Sequence, residues 1–129
     1  MNRRHEPSRN SVLLFDPNRR VRSMHTLMLH THGYNVESTG NEAEAHALCD
    51  SMRPDLLLVG MSEHLDVTFQ ACERFRRRHP QQNVNMSPCD ELFLAELSCD
   101  GVILHARASS GDILEHVRAL LDADRVAAV

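Results

Sequence analysis

The chain has 129 residues, 42% of them hydrophobic and 25% charged, with a formal net charge of -4 when histidine is neutral. That is the composition of one globular domain with a single core, not of a disordered or fibrous chain. The acidic balance argues against nucleic acid as a partner, and no apolar run approaches the ~20 residues a membrane span needs.

In chain order, residues 1–10 are basic but lack the apolar core of a signal peptide, so a flexible arm on a cytoplasmic protein is expected. Ser11 to Phe15 is a short aliphatic run, hence a strand, stopped by Asp16-Pro17-Asn18. Residues 18–32 place Val21, Met24, Leu27 and Met28 at helical spacing, and Gly33 supplies the left-handed cap. Residues 34–38 form a second strand. Asn41 then caps a helix with Ala43, Ala47, Leu48 and Met52 on one face and Glu44 at its third position. Residues 55–59 follow Arg53-Pro54 as an unbroken aliphatic run, the mark of a strand buried on both faces. A third helix has the inner stripe Val67, Ala71, Cys72 and Phe75 and closes at His79-Pro80; residues 83–86 form a weaker strand. A short helix over 91–97, a fifth strand over 101–104 and a last helix over about 110–122 complete the pattern, the last with Ile113, Val117, Leu120 and Leu121 at helical spacing. Alternating strands and helices predict a parallel sheet covered on both faces with right-handed crossovers. Residues 11–122 form the domain, and 123–129 are a C-terminal tail.

Cys49, Cys72, Cys89 and Cys99 form no C-x-x-C pair, so reduced thiols are expected, with Cys72, Met24 and Met28 as core fillers. The nine histidines have no metal-ligand spacing and read as solvated surface. The run Arg74-Phe75-Arg76-Arg77-Arg78-His79 reads as a solvated helix end whose cations meet the dipole; an anion-binding patch is the sharper alternative. The 91–97 helix is apolar around more of its circumference than one buried stripe needs, so it either sinks into the core or offers a partner surface.

Five segments together resemble a bacterial two-component response-regulator receiver domain. They are Leu13-Leu14-Phe15-Asp16 with Arg20-Val21-Arg22, His32-Gly33-Tyr34-Asn35-Val36, Gly40-Asn41-Glu42-Ala43-Glu44-Ala45, Arg53-Pro54-Asp55-Leu56-Leu57-Leu58, and Asp100-Gly101-Val102-Ile103-Leu104. The resemblance covers residues 11–122. It implies an α/β, three-layer, flavodoxin-like doubly wound sheet of five βα units with strand order 2-1-3-4-5.

The resemblance also implies a phosphoacceptor pocket, and here that pocket is degenerate. The acceptor position at the end of the third strand is Gly60, which cannot be phosphorylated. The acidic pair that holds Mg²⁺ reduces to Asp16 followed by Pro17, a weak remnant of a metal site, because a hard cation needs several carboxylate oxygens. The hydroxyl position falls on Ser87, the lysine position on His105, and the proline after it is Ala106. No metal or other cofactor is therefore expected, nor any enzyme activity. Asp16 and His105 read either as remnants or as a pH-responsive pair.

The reading that follows is an atypical receiver of the phosphorelay signal transduction family, acting as a phosphorylation-independent protein-interaction module. Its expected partner is a sensor kinase, a regulator or a second copy, met through the fourth helix, fifth strand and fifth helix, with Leu92, Phe93, Leu94, Val102 and Ile113 on that face. The competing class is a small-molecule or ion/pH sensor using the vacated pocket.

Overall fold

The computed structural model describes residues 10–61, 64–87 and 112–128, with side chains in the last helix described over 113–122. Strands and helices alternate along them: β1 (Ser11–Phe15), α1 (Arg19–Thr31), β2 (Asn35–Thr39), α2 (Glu42–Met52), β3 (Leu56–Val59), α3 (Leu65–Arg78), β4 (Val84–Met86) and α4 (Asp112–Ala128). Every strand pair is parallel and the order is β2-β1-β3-β4, the first four places of the expected 2-1-3-4-5. The expected helix over 91–97 and strand over 101–104 lie outside the described residues, as do Leu92, Phe93, Leu94, Val102 and His105.

The aliphatic runs explain why the sheet is covered twice. Side chains alternate across a strand, so β1 and β3 each feed two cores. Leu13, Phe15, Leu57 and Val59 pack with Ala45, Cys49, Ala71, Cys72 and Phe75 from α2 and α3. Val12, Leu14, Leu56 and Leu58 pack on the other side with Leu29 of α1 and Ile113, Val117 and Leu121 of α4. Each fully buried leucine contributes roughly 1.5–3 kcal/mol of transfer free energy, which is why no polar residue interrupts these two strands.

Local chemistry sets the turns between elements. Asn18 and Asn41 cap α1 and α2, their side chains accepting the backbone N–H of Val21 at 3.1 Å and of Glu44 at 2.8 Å. Gly33, at φ +94°, takes the left-handed turn out of α1. Asp55 locks β3 to β1, because its carboxylate accepts the Ser11 N–H at 3.0 Å while its own N–H donates to the Ser11 carbonyl at 2.9 Å.

Three helices are rotated from the faces expected of them. In α1 the buried pair is His25 and Leu29, while Met24 and Leu27 are 41% and 65% exposed. In α2 Ala45, His46 and Cys49 turn inward and Ala43 and Ala47 outward. In α3 Thr68 replaces Val67, which is 48% exposed. The cause is shared: a polar residue with a slim or largely carbon side chain lies one position from the expected stripe and packs better than hydropathy suggests. The surface reading of the histidines fails for the same reason at His25 and His46. Finally, α4 runs on to Ala128, through the segment 123–129 expected to be a tail, since no Gly or Pro after Asp122 breaks it.

Candidate functional site

The carboxyl ends of three strands finish in one row. Phe15 is in register with Val59, and Val59 with Met86. The next residues, Asp16, Gly60 and Ser87, therefore stand side by side at the rim of the sheet. Backbone bonds hold them there: Gly60 N–H to the Phe15 carbonyl at 2.7 Å, Ser87 N–H to the Val59 carbonyl at 2.8 Å, and Asp16 N–H to the Thr39 carbonyl at 3.1 Å. The whole row is buried, with Asp16 only 2% and Ser87 only 3% exposed. Pro17 beside it is exposed.

Asp16 lies over Gly60. A Cβ placed on Gly60 would fall 2.7 Å from the Asp16 Cβ and closer still to its Cγ and Oδ2. No real side chain tolerates such contacts, so the space belonging to residue 60 is filled by the neighbouring carboxylate. Position 60 is not a hole. Pro17 has no N–H to offer, and the first donor available to the carboxylate is Asn18, whose N–H reaches Asp16 Oδ1 at 2.9 Å. Arg22 does not pair with the carboxylate; its Nη1 donates to the Asp16 carbonyl at 2.7 Å. The same guanidinium covers Gly40, where a Cβ would collide with it. The Asp16 side chain thus lies between Gly60 and the Asn18 cap of α1, while Arg22 fills the space at Gly40.

Burial pushes the Asp16 carboxyl from 3.8 up to about 6, against the Asn18 hydrogen bond and the Arg22 charge, which both lower it. Desolvation wins because one N–H and a cation committed elsewhere do not replace a hydration shell. The donor set does not suit Mg²⁺. Asp16 is the one carboxylate in the row, and neither Pro17 nor Gly60 has a side-chain oxygen. Among the described residues no group of three or more His, Cys, Asp or Glu side chains is placed to hold a metal.

Thr39, at the end of β2, belongs to this rim, a role absent from the sequence reading. Its hydroxyl donates to the Glu44 carboxylate while its oxygen accepts the Asn41 N–H at 3.1 Å. In a direct capping box Glu44 would take that N–H itself. Here Thr39 stands between, and the spacing Thr39-x-Asn41-x-x-Glu44 is the signal that would have found it. Ile113, expected on the interaction face, is instead 0% exposed in the core against the sheet. It sits at the first inward position of α4, where the sheet takes it.

Two solved structures share this architecture. The chemotaxis protein CheY4 of Vibrio cholerae matches with a TM-score of 0.61 and 19% identity, over 84% of this chain and 96% of that one. The receiver domain of nitrogen regulatory protein C matches with a TM-score of 0.61 and 18% identity, over 88% of this chain and 95% of that one. The fold is that of receiver domains. No family model matches the sequence, and no curated protein does, so the likeness rests on architecture. Within the receiver fold the row Asp16, Gly60 and Ser87 occupies the carboxyl rim of the sheet, where open α/β folds place their ligands. No helix among the described residues is long and apolar enough to cross a membrane.

Two arginines of the α3 run are engaged. Arg74 makes a two-bond pair with Glu42 at 2.7 and 2.8 Å. Arg76 donates to the Val84 carbonyl at 3.1 Å and lies 3.5 Å from Glu73. Cys49 and Cys72 are buried free thiols, and burial pushes the Cys49 thiol up to about 11, which makes it a poor nucleophile.

Proposed function

We propose that this chain is an atypical response-regulator receiver that works without phosphorylation, as a protein-interaction module of phosphorelay signalling. The observation that carries this reading is Asp16 filling the space over Gly60. A receiver that took a phosphoryl group at position 60 would need both a carboxylate there and open volume around it. This rim offers neither, and its remaining carboxylate is ill suited to a divalent cation. The partner on this reading is a sensor kinase, a regulator or a second copy, engaged through the segments holding Leu92, Phe93, Leu94 and Val102. Ile113 drops out of that face because it is buried. Asp16 also weighs against a small-molecule or ion sensor in the same place, since a ligand would have to displace a side chain wedged between Gly60 and the α1 cap.

The test is NMR of the ¹⁵N-labelled chain with Mg²⁺ and beryllium fluoride, a mimic of the acyl-phosphate group. The amide resonances of Asp16, Gly60 and Ser87 should stay where they are. Saturable shifts at those three amides would overturn the reading.

A further inference from the structure

The seam between α2 and α3 holds a run of ionisable side chains that the sheet rim does not use. His46 of α2 is 5% exposed, and its ring stacks on Phe75 of α3 with centroids 4.2 Å apart. Its Nδ1 meets Nε2 of His79, the residue that ends α3, at 2.9 Å. The outer nitrogens are also engaged. His46 Nε2 lies 3.2 Å from Glu42 Oε2, and His79 Nδ1 lies 3.4 Å from Asp50 Oδ1. Glu42 is held in turn by Arg74. The chain Asp50, His79, His46, Glu42, Arg74 therefore passes back and forth between the two helices.

The two imidazoles lie end to end, with centroids 5.2 Å apart and planes 22° apart. That is the arrangement of one straight N–H···N bond. Two lone pairs converging on a cation would need the rings at an angle.

Counting protons then fixes the state of the pair. A carboxylate only accepts, so each outer nitrogen must carry a hydrogen, while the inner contact needs one hydrogen and tolerates no more. The chain is complete with three hydrogens on four ring nitrogens, one more than two neutral imidazoles hold. In the neutral pair the contact left unmade is the longer one, His79 to Asp50, because Asp50 is 70% exposed and water stands in for it. A fourth hydrogen would set two N–H groups against each other across 2.9 Å. It would also place two positive charges in a seam where the His46 and His79 side chains are 7% and 9% exposed.

We propose that His46 and His79 form an acid-gated clasp between α2 and α3: one added proton completes its hydrogen-bond chain, and a second drives the two rings apart. The charges facing the pair come from both helices. Glu42 and Asp50 of α2 favour the first proton. On α3, Arg74 is tied to Glu42, while Arg77 and Arg78 line, with Glu42, Ala43 and His46, an open cavity of about 380 Å³ over the seam. From the sheet, β1 brings the ring of Phe15, 5.7 Å from that of Phe75. Burial holds His79 below the ordinary histidine range, with Asp50 opposing it and Arg78 adding to it. The first proton therefore arrives on the acid side of neutrality, and it lands on His79 Nδ1, facing Asp50. This inference stands apart from the proposed function and concerns a different site.

The test follows the imidazole ¹⁵N and ¹³C resonances of both rings in the intact chain, from about pH 8 to about pH 4. Both rings should report the same two steps, and the first new hydrogen should appear on His79 Nδ1. In Asp50→Asn, an exposed change that leaves the core alone, the first step should move to lower pH. In His79→Gln, His46 should titrate in a single step. Through the second step of the unaltered chain, the α2 amides should exchange ~10-fold faster or more once intrinsic rates are removed, an acceleration that His79→Gln should lack. Two independent single steps, unchanged by Asp50→Asn or His79→Gln, would overturn the proposal. So would exchange protection of α2 that does not change through the second step.

Discussion

Asp16 and His46 are both buried ionisable side chains, 2% and 5% exposed, and the molecule treats them in opposite ways. Among the described residues Asp16 accepts one backbone N–H and has no cation bonded to its carboxylate, so burial works against its charge. His46 has a partner at each ring nitrogen and an aromatic ring against its face. The α2–α3 seam therefore gains from its polar residues, whereas the sheet rim carries a carboxylate at a cost. The lesson is about space as much as charge. Asp16 stays in the rim because Gly60 leaves a volume that a neighbour fills, and the seam is closed by residues that fit one another.

The largest effect should come from the seam. Phe75 has no exposed surface and supports both His46 and Phe15; Phe75→Ala should cost about 3–5 kcal/mol in urea unfolding. A loss under about 1 kcal/mol would mean the seam contributes little and the contrast with the rim is empty. Next comes the rim. The Asp16 carboxyl is raised in the folded chain, from 3.8 to about 6, so the folded state binds the proton more tightly than the unfolded one. Stability should fall as pH rises through that window and stay low above it. Asp16→Asn removes this burden, and it should raise stability by about 2–3 kcal/mol at pH 7.5 and by almost nothing near pH 3.5. A destabilising Asp16→Asn at pH 7.5 would show a carboxylate better paired than the rim geometry allows.

His25 sharpens the comparison on the other side of the sheet. Its Nδ1 is buried with no hydrogen-bond partner among the described residues, and burial holds its titration below 6.5. With the folded-state value lowered, stability is complete above 6.5 and declines as the pH drops below it. His25→Leu should add roughly 1–2 kcal/mol at neutral pH and flatten that acid limb, read from melting temperature against pH. The smallest effect belongs to the surface. Arg74 and Glu42 are 47% and 28% exposed, and Arg74→Ala should cost no more than about 0.5–1 kcal/mol, diminishing further with added salt.

Much of this was legible in the sequence, and the misses have one physical source. The runs Val12-Leu13-Leu14 and Leu56-Leu57-Leu58 gave the two central strands because a doubly covered strand leaves no place for polarity. Asn18, Gly33 and Asn41 gave the turns because cap chemistry is local. Gly60 and Ser87 were assigned to strand ends by the resemblance to receiver domains, not by local chemistry. What hydropathy could not give was the rotation of α1, α2 and α3, where His25, His46 and Thr68 turn inward as packing surfaces. It also could not show that Asp16 leans onto Gly60, since that depends on the register of β1 against β3, which no single segment encodes. The histidine clasp was hidden by the same distance: residues 46 and 79 meet only once two helices dock on one face of the sheet.

The central claim is that Asp16 occupies the volume of a side chain at position 60, and a double-mutant cycle measures it directly. Unfolding free energies are needed for the unaltered chain, Gly60→Ala, Asp16→Gly and the pair. The account predicts that Gly60→Ala is strongly destabilising alone and close to neutral in the Asp16→Gly background, a coupling of about 2–3 kcal/mol. Equal costs of Gly60→Ala in both backgrounds would contradict it, and would return position 60 to an open pocket.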